Sequence, residues 1–229
     1  MGELILCSHP IAAMPYYIDN ISLNVYSLEE LCYYIENHLY LIEADFMSEE
    51  LCLWIGQELD EKDLAQSLRS VLLGNGSLSD FTELILRSCG YCSEDTIRHI
   101  RSVLLDMQNK SVFECSKIRA DRYMESEKYV KAIHEYRKLL GMEEECKKNP
   151  VLEGNIRHNL GTACAELFLF DEAAANFLNA YRLNQNRESL AACMAACRLA
   201  KKTDILKKYK EEFHVSDEAF RPMEFCFKK

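Results

Sequence analysis

Between Met1 and Glu61 the chain contains no lysine and no arginine, while twelve acidic residues run from Glu3 to Glu61. A leading segment of one sign repels phosphate backbones and anionic lipid surfaces, which argues against nucleic-acid and peripheral-membrane roles. Glycine and proline are scarce, 8 and 4 in 229 residues, so long regular elements with short connections are expected. No apolar run approaches the roughly 18 residues that span a bilayer, so membrane insertion is not expected. Residues 1–6 lack the basic and long apolar regions of a secretory signal.

The residue patterns of common catalysts are missing as well. There is no G-x-S-x-G, no phosphate-cradling glycine loop and no paired-carboxylate motif. The six histidines are scattered, and none has a partner at a metal-ligand spacing such as H-x3-H. Cys7-x-His9 stands isolated. No cofactor and no metal are expected on these grounds.

What is present is a folded, helix-forming composition. Hydrophobic residues make up 48% of the chain and charged residues 28%, enough for a sizeable core. The net charge of −10 is uneven, because residues 111–229 hold 21 basic and 19 acidic side chains. Eleven cysteines, mostly single and odd in number, read as small buried hydrophobes in a reducing compartment, the cytoplasm. Cys89-Gly-Tyr-Cys92 has redox-motif spacing, but both neighbours are helical in pattern, so Gly90 reads as a helix stop. Cys226 lacks the aliphatic residues of a prenylation signal.

In the region 1–110, "ELILC" and "ISLNVYS" are short apolar stretches consistent with a small hairpin or an extended arm. Ser27 and Glu30 form a capping-box pattern that opens a helix through about Leu41. Further starts fall at Ser48, Asp60, Ser79 and Ser93, giving an acidic N-terminal helical region. Asn149-Pro150 marks another start, with proline in the first helical position where its missing N–H is not needed.

Residues 111–229 repeat. "LGTAC" places Gly161 before Cys164, and "DEAAANF" places Ala173 four residues before Phe177. A glycine costs about 1 kcal/mol in a helix interior, so Gly161 is expected to face Ala173 where two antiparallel helices cross, with Phe177 beyond. "ADRYMESEKYVKAIHEY" repeats the spacing with Ala120, Tyr123, Tyr129, Ala132 and Tyr136. The pattern resembles the tetratricopeptide repeat, a helix–turn–helix unit carrying L-G-x2-Y followed by A-x3-F.

Across residues 113–213 that resemblance implies an all-α fold of antiparallel hairpins stacked as a right-handed array. A third, degenerate unit would put Lys207 in the small-residue slot, and "MEEECKK" would extend the helix before it. The resemblance also implies a non-enzymatic module that binds a peptide or helix on a concave face. Helical spacing places Glu114, Lys117, Asp121, Met124 and Glu125 on that face, then Asn155, His158, Thr162, Ala165 and Glu166 one repeat later. Family members that bind chaperone C-termini use a lysine and an asparagine one turn apart. Lys117 matches the lysine, but Asp121 stands in the asparagine position and would repel a terminal carboxylate. The stripe's acidity points instead to a basic amphipathic segment of another protein. Two other classes stay open: an enzyme or thiol-redox accessory protein working near Cys89 and Cys92, and a small-molecule sensor.

Overall fold

A computed structural model of the chain describes residues 9–215. It is all-α apart from one small antiparallel hairpin, and its contacts divide the chain into two units, Met1–Ser111 and Val112–Lys229. "ELILC" and Cys226 lie outside the described residues.

In the first unit the described chain begins as an extended arm. Ala12 N–H donates to the Tyr26 carbonyl at 2.7 Å, Met14 N–H to Glu58 at 3.0 Å, and the Trp54 indole N–H to the Met14 carbonyl at 2.8 Å. Strands β1 (Tyr16–Ile18) and β2 (Leu23–Val25) follow, paired Tyr16↔Val25, Tyr17↔Asn24 and Ile18↔Leu23. Their alternation buries Ile18 and Val25 and leaves Tyr17 exposed, as a period of two requires.

Five α-helices, α1 (Leu28–Asn37), α2 (Glu49–Gln57), α3 (Lys62–Leu73), α4 (Leu78–Cys89) and α5 (Glu94–Gln108), and two 3-10 turns, Leu39–Leu41 and Ala44–Phe46, complete the described part of this unit. The first helix thus stops at Asn37 and not at Leu41. Ser27, Ser48 and Ser93 cap α1, α2 and α5, each accepting from a backbone N–H three residues on. Two starts differ from the sequence reading. The cap of α4 is Ser77, which forms a reciprocal capping box with Asp80, while Ser79 is buried inside the first turn. Asp60 sits in the left-handed region at φ 55° as part of the turn before α3. The core is aliphatic and aromatic: Leu28, Leu31, Ile35, Leu51, Ile55, Leu68, Phe81 and Ile85 are fully buried. Gly90 ends α4 at φ 65°, a conformation that costs other residues more than glycine.

The second unit is a succession of helices in which each packs on its sequence neighbours. These are α6 (Val112–Glu125), α7 (Tyr129–Gly141), α8 (Glu143–Lys148), α9 (Pro150–Glu166), α10 (Phe170–Asn184), α11 (Arg187–Leu199) and α12 (Thr203–Glu212). One turn recurs three times. Glu127, Phe168 and Lys201 adopt φ 57°, 61° and 58° after α6, α9 and α11. The next residue's N–H then reaches back to Tyr123, Cys164 or Cys197 at 2.8–2.9 Å. Five residues past each left-handed position, Ala132, Ala173 and Leu206 donate to the carbonyls of Lys128, Leu169 and Lys202. The bonds to Tyr123, Cys164 and Cys197 are the six-to-one bonds of a helix C-terminal motif used as a hairpin hinge, and those of Ala132, Ala173 and Leu206 open the helix that follows.

Two expectations are corrected. In the third hairpin the slot equivalent to Ala132 and Ala173 holds Leu206 and not Lys207, because the hinge at Lys201 sets the register. "MEEECKK" does not extend α7: Met142, at φ −85° and ψ 63°, leaves the helix, and α8 is a separate short helix packed on α7 and α9. The extra helix explains why the interval from Glu127 to Phe168 is longer than that from Phe168 to Lys201. Gly161 lies against an aromatic ring, since a Cβ there would come within 2.8 Å of Cδ1 and 2.9 Å of Cε1 of Phe177. The close neighbour that a helical glycine requires is, first of all, the Phe177 ring.

Candidate functional site

The stripe on α6 and α9 is a set of bonds between helices as well as a surface. The Asp121 carboxylate accepts from Lys117 Nζ at 2.6 Å, from the Tyr136 hydroxyl at 2.7 Å and from Asn159 Nδ2 at 3.3 Å, tying α6 to α7 and α9. Burial first, then the bond to Asp121, pushes the Tyr136 phenol well above its ordinary value, so it stays a donor. One repeat later the His158 ring meets Ser189 Oγ at 2.9 Å and stands edge-on to Phe177 at 5.2 Å, joining α9 to α11 and α10. Burial lowers the pKa of His158, with Glu188 opposing.

The rest of the stripe is more accessible. Thr162 donates back to the His158 carbonyl at 3.1 Å, and Asn155 accepts from Asn184 at 3.1 Å. Glu125 is exposed and pairs with Arg122 at 2.6 Å, while Met124 and Glu166 are half-buried. Asp121 and His158 are therefore occupied in holding helices together, and Met124, Glu125 and Glu166 remain as surface that another molecule can reach.

A second constellation, in the first unit, draws on three separate segments. His9 on the arm, Glu29 in the first turn of α1 and Cys89 at the end of α4 place one nitrogen, one oxygen and one sulfur within 4.8 Å of one another. Glu29 Oε1 lies 2.9 Å from His9 Nδ1 and also accepts from the His9 backbone N–H at 3.2 Å. Glu29 is only 6% exposed, an unusual position for a carboxylate unless a partner compensates it. Its hydrogen bond raises the His9 pKa against the lowering effect of burial.

Cys89 is half-buried beside Cys32 of α1. Interaction with the neighbouring Cys32 holds the Cys89 thiol below its ordinary value, helped by the Tyr91 backbone N–H and by His9, while burial and Glu29 act the other way. The Cys32 S–H also reaches the Ile85 carbonyl at 3.8 Å. Cys32 is pushed strongly upward by the same pairing and by burial, so the deeper sulfur keeps its proton. Cys92 is pushed up to about 11, chiefly by burial, and His99 is exposed on α5. The residues gathered around Cys89 are thus His9, Glu29 and Cys32, and the cluster does not take in Cys92 or His99. Reading the sequence could not find this trio, because positions 9, 29 and 89 share no spacing that a local motif would record.

None of the family models, curated proteins or solved structures compared with the chain matches it. Among the described residues no helix is long and apolar enough to cross a membrane.

Proposed function

We propose that the unit formed by residues 112–229 is a tetratricopeptide-like interaction module that works without catalysis of its own. Its ligand would be a basic amphipathic segment of another protein, held along α6 and α9. The observation that carries this reading is the hairpin hinge at Glu127, Phe168 and Lys201, with identical backbone bonds each time. Stacked helical hairpins of this kind characteristically present extended binding faces. Glu114, Asp121, Glu125 and Glu166 outnumber Lys117 on the stripe, which favours a basic partner and disfavours an acidic one. Met124, Thr162 and Ala165 supply apolar contact between the charges. The many single cysteines suit a cytoplasmic setting.

The test is a selection of random displayed peptides on the full-length protein, with survivors measured against two double variants. Glu125→Lys with Glu166→Lys should abolish selection of Lys/Arg-rich amphipathic peptides. Glu143→Lys with Glu144→Lys on α8 should leave it intact. Recovery of no peptides, of acidic peptides, or of peptides indifferent to the first variant would overturn the proposal.

A further inference from the structure

Three features of the meeting of His9, Glu29 and Cys89 point the same way. The first is the donor set. His9, Glu29 and Cys89 each offer one ligand atom, all within 4.8 Å of one another. In a tetrahedral zinc site, metal–ligand distances of roughly 2.0–2.3 Å put ligand atoms about 3.4–3.7 Å apart. Closing the present cluster onto an ion therefore takes side-chain adjustments on the ångström scale, with no change of fold.

The second feature is the local field. Cys89 is the last residue of α4, where unsatisfied carbonyls make the helix end negative, and the Glu29 carboxylate adds to that sign. Both oppose an uncompensated thiolate, against the stronger pull of Cys32 that lowers the thiol's pKa, and both favour a cation. A helix N-terminus aimed at the sulfur would have supported nucleophilic chemistry, and here the opposite end is presented.

The third is that the ligands are held. The arm carrying His9 is tied down by the bonds of Ala12 and Met14 and by the Trp54 indole, and His9's own N–H is anchored on Glu29. Glu29 is set by the capped first turn of α1, and Cys89 by the left-handed Gly90 that follows it. Each ligand is positioned by backbone structure, as an assembled site requires.

From this placement we infer that His9, Glu29 and Cys89 form a binding site for a zinc-class divalent cation, with one coordination position left for water or a small ligand. Thiolate and imidazole select zinc over magnesium or calcium, which prefer all-oxygen sites. Three protein ligands leave the fourth tetrahedral position open, as in sites where the metal meets an exogenous molecule. The site lies wholly within the first unit and is independent of the interaction face proposed for the second.

The experiment uses the full-length, untagged protein, reduced and freed of metal. Zinc is titrated in competition with a chromophoric chelator, and cobalt(II) is added separately to read thiolate-to-metal charge transfer in the near ultraviolet. One equivalent should bind, with the charge-transfer band present. Cys89→Ser should remove the band, and both it and His9→Gln should weaken zinc binding about 100-fold or more. Glu29→Gln should weaken binding while keeping the band. Cys92→Ser should change neither reading, and far-ultraviolet circular dichroism checks that each variant is folded. Absence of stoichiometric binding in the parent protein would overturn the inference. So would an undiminished band in folded Cys89→Ser, or full affinity in folded His9→Gln.

Discussion

The hydroxyl of Tyr136, a fully buried side chain of α7, donates to the Asp121 carboxylate of α6 at 2.7 Å. Asp121 lies on the stripe that sequence spacing assigns to a partner, yet the bond spends one of its oxygens inside the hairpin. Tyr136→Phe should cost about 1.5–3 kcal/mol, the range for a hydrogen bond to a charged group, measured by denaturant unfolding. The phenol's raised pKa adds a pH signature. Its contribution is complete below the unfolded value of about 10 and is lost as pH rises through the higher folded value. The parent protein should therefore lose stability above about pH 10 more steeply than Tyr136→Phe, and parallel curves would count against the buried donor.

Gly161 tests the packing of α9 on α10. Alanine there gains helix propensity of about 1 kcal/mol, but its Cβ meets the Phe177 ring at 2.8 Å, a rigid plane and not a flexible chain end. Gly161→Ala should be net destabilising by about 1–3 kcal/mol. In a Phe177→Leu background the loss should shrink, since the two positions are in contact. Additive losses in that double-mutant cycle would mean the ring does not lie on the glycine.

His158 should titrate below the usual histidine value, because burial against Phe177 and Ser189 disfavours its charged form. Its contribution to stability is present above the unfolded value of about 6.5 and is lost as pH falls through the lower folded value. Unfolding measured from about pH 7 to pH 5 should show a shallower decline for His158→Gln than for the parent. An imidazole resonance with its midpoint at or above about 6.5 would contradict the buried neutral ring.

For a basic peptide recovered by selection, affinity should fall several-fold between low salt and about 0.5 M. The screening length is about 10 Å at 0.1 M and shortens as salt rises, and Glu125 is exposed. Fluorescence anisotropy at the two salt concentrations decides the point. Asp121→Lys is unsuitable for this comparison, because it also breaks the bonds to Lys117, Tyr136 and Asn159.

Legibility in the sequence followed the range of the interaction. Ser27, Ser48, Ser93 and Asn149 declared their helices because a cap bonds within three residues. Gly90 declared its turn for the same local reason. Ser77 and Ser79 compete two residues apart, and burial of Ser79 decides between them. The break at Met142 and the placing of Leu206 were hidden because a non-glycine residue carries each: Met142 leaves the helix, and Lys201 takes the left-handed turn, with no glycine or proline to mark either.

Local chemistry alone determined that the chain is helical, roughly where its helices start, and that its second half reuses a hairpin spacing. Those features rest on caps, periodicity and glycine cost, which act over one or two turns. Only the tertiary structure turned Asp121 and His158 inward as bonds between helices, set Phe177 on Gly161, and gathered His9, Glu29 and Cys89 from three well-separated segments. Contacts between distant segments depend on which faces the packed helices present, and no local spacing encodes that.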